Sequence, residues 1–238
     1  EAHMVDFENE QTMYMRIINH FLLINPKLRV LGLTGSPFRG SESIIGEFWK
    51  KCLYQISTES LVEAGWLVPV VFGWPEVSGD EFDFSTMEEK YGTLDFSEEQ
   101  YDEFRNGDPT LTHRIMVEVV HRTQEELGVL IFCQSKKHCI EASEALPPGS
   151  FAIITDDTPD GDRSAALEQA SNGELKYILN CSVLGVGVNV PRWQCIVYLR
   201  RVSSIVFLIQ SIGRGLRLFI ESGANLNDLT AEQRKEEI

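Results

Sequence analysis

The chain has 238 residues, 43% hydrophobic, 24% charged and 10% aromatic, a globular composition that sets disorder, collagen and coiled coil aside. Its formal charge of −15 argues against a nucleic-acid partner until the distribution is read, because phosphate backbones are held mainly by Lys and Arg. Five cysteines with no C-x-x-C pair, and no apolar run near the roughly 20 residues of a bilayer span, lead to the expectation of a reduced, cytoplasmic protein without a membrane segment.

Residues 10–24 put Met13, Ile17, Ile18, Phe21 and Leu22 on one helical face, and Asn25-Pro26 ends the helix. LRVLGLT (28–34) predicts a strand buried on both faces of a parallel sheet, closed by the turn Gly35-Ser36-Pro37. A short amphipathic helix in SLVEAGWLV and an apolar strand over 68–73 follow. Residues 76–108 then hold twelve acids against Lys90 and Arg105, which predicts a solvated connecting arm with a frayed helix near 97–105.

From residue 109 the text alternates: helix 110–126, strand 128–133, helix 135–145, strand 150–155, helix 162–172, strand 176–181, strand 195–199 and helix 204–213. Right-handed βαβ crossovers fold such a pattern into an α/β, mostly parallel sheet with helices on both faces. Residues 109–220 carry eleven acids and eleven bases, so the acidity lies elsewhere in the chain. Cys133, His138 and Cys139 lack a second ligand pair at zinc-finger spacing, and no metal is expected there.

Four segments are hard to explain by packing alone. They are Glu1-Ala2-His3 with L-T-G-S-P-F-R from Leu33 to Arg39, then V-L-I-F-C from Val129 to Cys133 leading to Thr158-Pro159 and Arg163, then V-L-G-V-G-V-N-V-P from Val183 to Pro191, and Q-S-I-G-R-G-L-R from Gln210 to Arg217. Two guanidiniums three residues apart offer forks of N–H groups to phosphate oxygens. Glycines let a backbone approach a phosphate closely.

In this order the segments resemble the superfamily 2 helicases and translocases, with the RadD-like and restriction-motor-like ATPases of the DEAD/DEAH type the nearest pattern. The resemblance covers about residues 1–220 and implies two RecA-like domains. ATP and Mg²⁺ would lie between those domains, and nucleic acid would run across both. It implies that Glu1 activates the attacking water and that His3 hydrogen-bonds at the nucleotide site. Thr34 and Ser36 would couple hydrolysis to movement, with Gly-Ser standing where Ala-Thr is usual. Arg217 resembles the arginine finger on the γ-phosphate and Arg214 its partner, while Gly187, Asn189 and Gln210 would sense nucleotide. Asn189 stands where Asp is usual, and so carries no charge. Arg39, Ser135, Lys136 and Gly185 would touch a nucleic-acid phosphate.

No G-x-x-x-x-G-K-[ST] phosphate loop occurs in the 238 residues, so ATP and Mg²⁺ are expected to need residues upstream and this stretch alone is expected to be inactive. The expected organisation is the C-terminal part of a first RecA-like domain (1–58), an acidic connecting segment (59–108), a nearly complete second RecA-like domain (109–220) and an acidic tail (221–238). The expected function is that of an ATP-dependent DNA helicase or translocase, with DNA and other repair or restriction subunits as partners. The alternative is a non-catalytic RecA-like interaction module.

Overall fold

The computed structural model describes residues 2–39, 42–46, 48–73, 85, 97–181, 183–184, 187–202, 204–221 and 223–237. The chain divides into two compact units, one made of Glu1–Ser57 with Ser204–Gln210, the other of Thr58–Ser203 with Ser211–Ile238.

In the first unit, helix α1 (Met13–Ile24) starts where the Thr12 hydroxyl accepts from the Met15 amide. It stops at Asn25 in extended backbone. The amphipathic stripe is present, yet only Met15 is buried, and Met13, Ile17 and Phe21 are at least half exposed. The strand expected at 28–34 does not form. That run is irregular and Leu31 and Leu33 lie in solvent, because among the described residues no neighbouring strand offers it a ladder. Its anchors are local: the Ala2 amide donates to Leu33 O at 2.9 Å, and Trp49 Nε1 donates to Ala2 O at 3.2 Å. Gly32 is required there, since a Cβ would lie 2.6 Å from the Trp49 ring and 2.8 Å from Ala2 Cβ. A two-residue antiparallel hairpin follows, with β1 (Phe38–Arg39) paired to β2 (Glu42–Ser43).

The second unit opens with α2 (Thr58–Glu63), ended at Gly65, whose φ of 71° is left-handed. The strand expected at 68–73 shrinks to a single bridge between Leu67 and Arg217, with the Val68 amide donating to Leu216 O. Pro69 has no amide to continue the ladder, and Val71 and Phe72 are exposed.

Helix α3 (Glu98–Gly107) is firmer than the frayed arm its charges predict. Ser97 and Gln100 form a capping box, Tyr101 and Arg105 are buried, and Arg105 Nε lies 3.2 Å from Glu141 Oε2. Then come α4 (Leu111–Arg122), β3 (Val129–Cys133), α5 (Lys136–Ser143), β4 (Phe151–Ile154), α6 (Asp160–Asn172), β5 (Tyr177–Asn180), β6 (Cys195–Leu199) and α7 (Ile205–Gly215), the last shared with the first unit.

The four strands form one parallel sheet in the order β4-β5-β3-β6. The continuous apolar run VLIFC is fully buried because β3 sits between two strands and under helices on its faces. Its core includes Met116 from α4, Cys139 and Ala142 from α5, Tyr177 and Leu179 from β5, and Leu199 from β6. The parallel α/β sheet expected from the alternation is therefore present.

The segment after α7 is tied down rather than loose. Helix α8 (Ala231–Glu236) carries a Thr230–Gln233 capping box and the buried Arg234. That guanidinium lies 3.8 Å over the Trp66 ring and donates twice to Ala64 O, at 3.2 and 3.0 Å, as well as to Leu226 O and Leu229 O.

Candidate functional site

The first unit brings four of the sequence-predicted residues into one hydrogen-bonded chain. Gln210 Nε2 donates to Ser36 Oγ at 3.2 Å and lies 3.0 Å from His3 Nε2. An amide nitrogen only donates, so His3 accepts at Nε2, and the neutral ring then carries its proton on Nδ1. That nitrogen meets Thr34 Oγ1 at 2.8 Å, and the Thr34 hydroxyl donates to Ser36 O at 3.1 Å. The Ser36 amide closes the turn on Thr34 Oγ1 at 3.2 Å, and Ser36 is fully buried. The looser Gly-Ser turn is thus held by Thr34, from one side chain.

The second unit gathers Arg214, Arg217 and Asn189. Arg214 Nη1 donates to Val188 O; Arg217 Nη1 donates to the same carbonyl at 2.9 Å and to Asn189 Oδ1 at 2.5 Å. Gly187, with φ at 79°, turns the backbone here, and the buried Val190 and Leu184 anchor the loop from below. The two arginines do not share a helix face. Helix α7 ends at Gly215, and Arg217 lies beyond it in the bridge to Leu67. Gly213 and Gly215 weaken the last turn, and the Leu216 carbonyl is taken by the Val68 amide. The guanidiniums nevertheless converge on one oxygen.

Arg214 is buried and Arg217 about half-buried; burial first, then the like charge of Arg214, pulls the Arg217 guanidinium below its ordinary pKa. The described acceptors of Arg217 are a carbonyl and an amide oxygen, both neutral, so its charge is not cancelled by them. Such a pair of cations fits a polyanionic phosphate in chemistry. Among the described residues no group of three or more His, Cys, Asp or Glu is placed to hold a metal ion, and no residue is assigned to Mg²⁺.

The expected nucleic-acid residues are occupied differently. Ser135 is the N-cap of α5, its hydroxyl accepting from the His138 amide at 3.2 Å. Lys136 Nζ is 2.8 Å from Asp156 Oδ1 and also pairs with Asp157, which raises its pKa above the usual lysine value. A phosphate at Lys136 would have to displace two carboxylates. Arg39 lies in β1, and Glu1 and Gly185 lie outside the described residues.

Sequence reading missed four participants. Val188 acts through its main chain, which no side-chain pattern reveals. Asp156 and Asp157 meet Lys136 across 20 residues. Tyr198 puts its hydroxyl 2.6 Å from Ser211 Oγ, a contact between a strand and a helix that only the fold creates.

Residues 112–219 match the helicase conserved C-terminal domain family. The chain is 24% identical over 211 residues to IRC3 of Saccharomyces cerevisiae, whose name is that of an ATP-dependent helicase, covering 86% of this chain and 30% of that protein. It is 23% identical over 213 residues to irc3 of Schizosaccharomyces pombe, named as a mitochondrial ATP-dependent helicase, covering 86% of this chain and 33% of that protein. The chain thus spans about a third of the length of the curated relatives it matches. Among solved structures, Mycobacterium smegmatis helicase Lhr bound to ssDNA and AMP-PNP is similar over 44% of this chain and 15% of its own, at 14% identity and a TM-score of 0.41. Residues 112–219 thus carry the match to the helicase conserved C-terminal domain, and they hold all four strands of the parallel sheet.

Proposed function

We propose that this chain supplies the C-terminal half-motor of an ATP-dependent DNA helicase or translocase. The observation that carries the reading is the convergence of Arg214 and Arg217 on Val188 O, with Arg217 answering to neutral oxygens. In this reading ATP supplies the phosphate anhydride whose cleavage drives the cycle. Arg217 donates to the terminal phosphate oxygens, Arg214 reinforces it, and together they stabilise charge that grows in the transition state. Binding phosphate draws both guanidiniums from Val188 O, so the Gly187–Val190 loop and the nucleotide answer to each other.

Contacts to the track are mainly to phosphates in this reading, so affinity is independent of sequence and falls steeply with salt. The test is Arg217→Ala in the full-length protein, where DNA-stimulated ATP hydrolysis should fall about 10³-fold or more. Unchanged hydrolysis would reject the assignment. A second reading, a non-catalytic interaction module, draws support from Lys136 being held by Asp156 and Asp157. It predicts no hydrolysis in the wild type and partner binding that depends little on DNA.

A further inference from the structure

The last turn of α7, from Ser211 on, carries Arg214 and leads to Arg217, so whatever fixes the azimuth of that turn fixes the aim of those side chains. A polar contact from the sheet does this. Tyr198, on β6, stacks its ring on Phe132 of β3 with centroids 5.6 Å apart and planes 12° off parallel. Phe132 is fully buried, so the Tyr198 ring has a rigid seat. From that seat the Tyr198 hydroxyl reaches Ser211 Oγ at 2.6 Å, and Ser211 is fully buried in α7. Ser211 directly follows Gln210 and precedes Arg214 by three residues, just under one helical turn. Burial raises the Tyr198 pKa, so the hydroxyl keeps its proton at neutral pH and the contact does not switch on or off there.

We infer that Tyr198 is a positioning residue for the arginine pair: a strut from the sheet core to Ser211 that sets the rotation of α7. The inference deepens the proposed ATPase and rests on that reading for its kinetic consequence. Apolar burial alone lets a helix roll by small amounts among similar packings, whereas a short hydrogen bond to a rigid ring does not. A displacement of about 1 Å at a charge-stabilising group is enough to cost about 10²-fold in rate. The strut therefore acts on the turnover number rather than on ATP affinity.

Tyr198→Phe keeps the stacked ring and removes only the hydroxyl; Ser211→Ala removes the other end. In the full-length protein each change should lower kcat for ATP about tenfold, leave KM within about twofold, and shift the melting temperature by no more than a few degrees. The double substitution should be no worse than Ser211→Ala alone, because Tyr198→Phe then removes nothing that is still in place. Hydrogen exchange gives a readout that does not need hydrolysis: the α7 amides from Ser211 to Gly215 should exchange faster in Tyr198→Phe while those of β3 do not. An unchanged kcat in an active protein, or additive losses in the double variant, would overturn the strut. Were the wild type to show no ATPase at all, the motor reading would fall, and unaltered exchange at 211–215 would then overturn the strut as well, while faster exchange would uphold it.

Discussion

The two units use the same kinds of apolar residue with opposite results. In the second, Ile131, Phe132, Ile178 and Leu179 are wholly inaccessible, locked between parallel strands and covering helices. In the first, Leu23, Leu31 and Leu33 stand mostly in solvent, and order comes from individual contacts such as Trp49 against Gly32 and the chain from Gln210 to Thr34. Hydrophobic content alone does not make a core; it needs elements whose partners are in place.

The contrast can be broken first at its strongest point. Ile131→Ala should destabilise the second unit by about 2–5 kcal/mol, since a fully buried branched side chain leaves a cavity in a sheet that cannot collapse around it. Denaturant unfolding followed in the second unit measures this; a loss below about 1 kcal/mol would mean the sheet is not its core. Arg234→Ala should cost about 2–4 kcal/mol, because four hydrogen-bonded carbonyl contacts and the cover over Trp66 vanish together. Trp66 fluorescence should shift to the red as the ring gains water.

A smaller effect is tied to pH. Burial first, then the charge of Arg105, pushes the His138 pKa from 6.5 down to about 3, with Thr112 Oγ1 3.3 Å from Nε2 and the Gln134 amide facing Nδ1. The folded state refuses a proton that the unfolded chain accepts below pH 6.5. Stability from this group is thus complete above about 6.5 and declines as pH falls toward 3, by up to about 1.4 kcal/mol per unit. Between pH 6.5 and 5, above the usual carboxylate range, His138→Gln should flatten the slope in equilibrium unfolding. The least effect belongs to the first unit: Phe21→Ser, at a half-exposed position, should change its unfolding free energy by less than about 0.5 kcal/mol.

How much of this could be read in the sequence follows from what a pattern can contain. The runs that became β3, β4, β5 and β6 were legible because helices alternate with them and supply their cover. The similar runs at 28–34 and 68–73 carry the same apolar signal but have no strand beside them among the described residues, and Pro69 removes a donor besides. For the site, Gln210, Arg214, Arg217 and Asn189 stood out through residue type and spacing. The carbonyl of Val188, the carboxylates that hold Lys136 and the hydroxyl of Tyr198 did not stand out, since each acts through proximity made by the fold rather than through a motif.

The Arg234 contact has a topological consequence. With its guanidinium 3.0 Å from Ala64 O, the segment from α2 to α8 is nearly a closed ring, its entry and exit meeting at one point. Cα order along a ring has no privileged origin. Joining residue 237 to residue 58 by a short flexible linker and opening the chain at the exposed Pro147-Pro148-Gly149 turn would keep every strand neighbour in place. Such a circular permutant should fold to the same sheet, with the α5–β4 connection opened and no ladder cut.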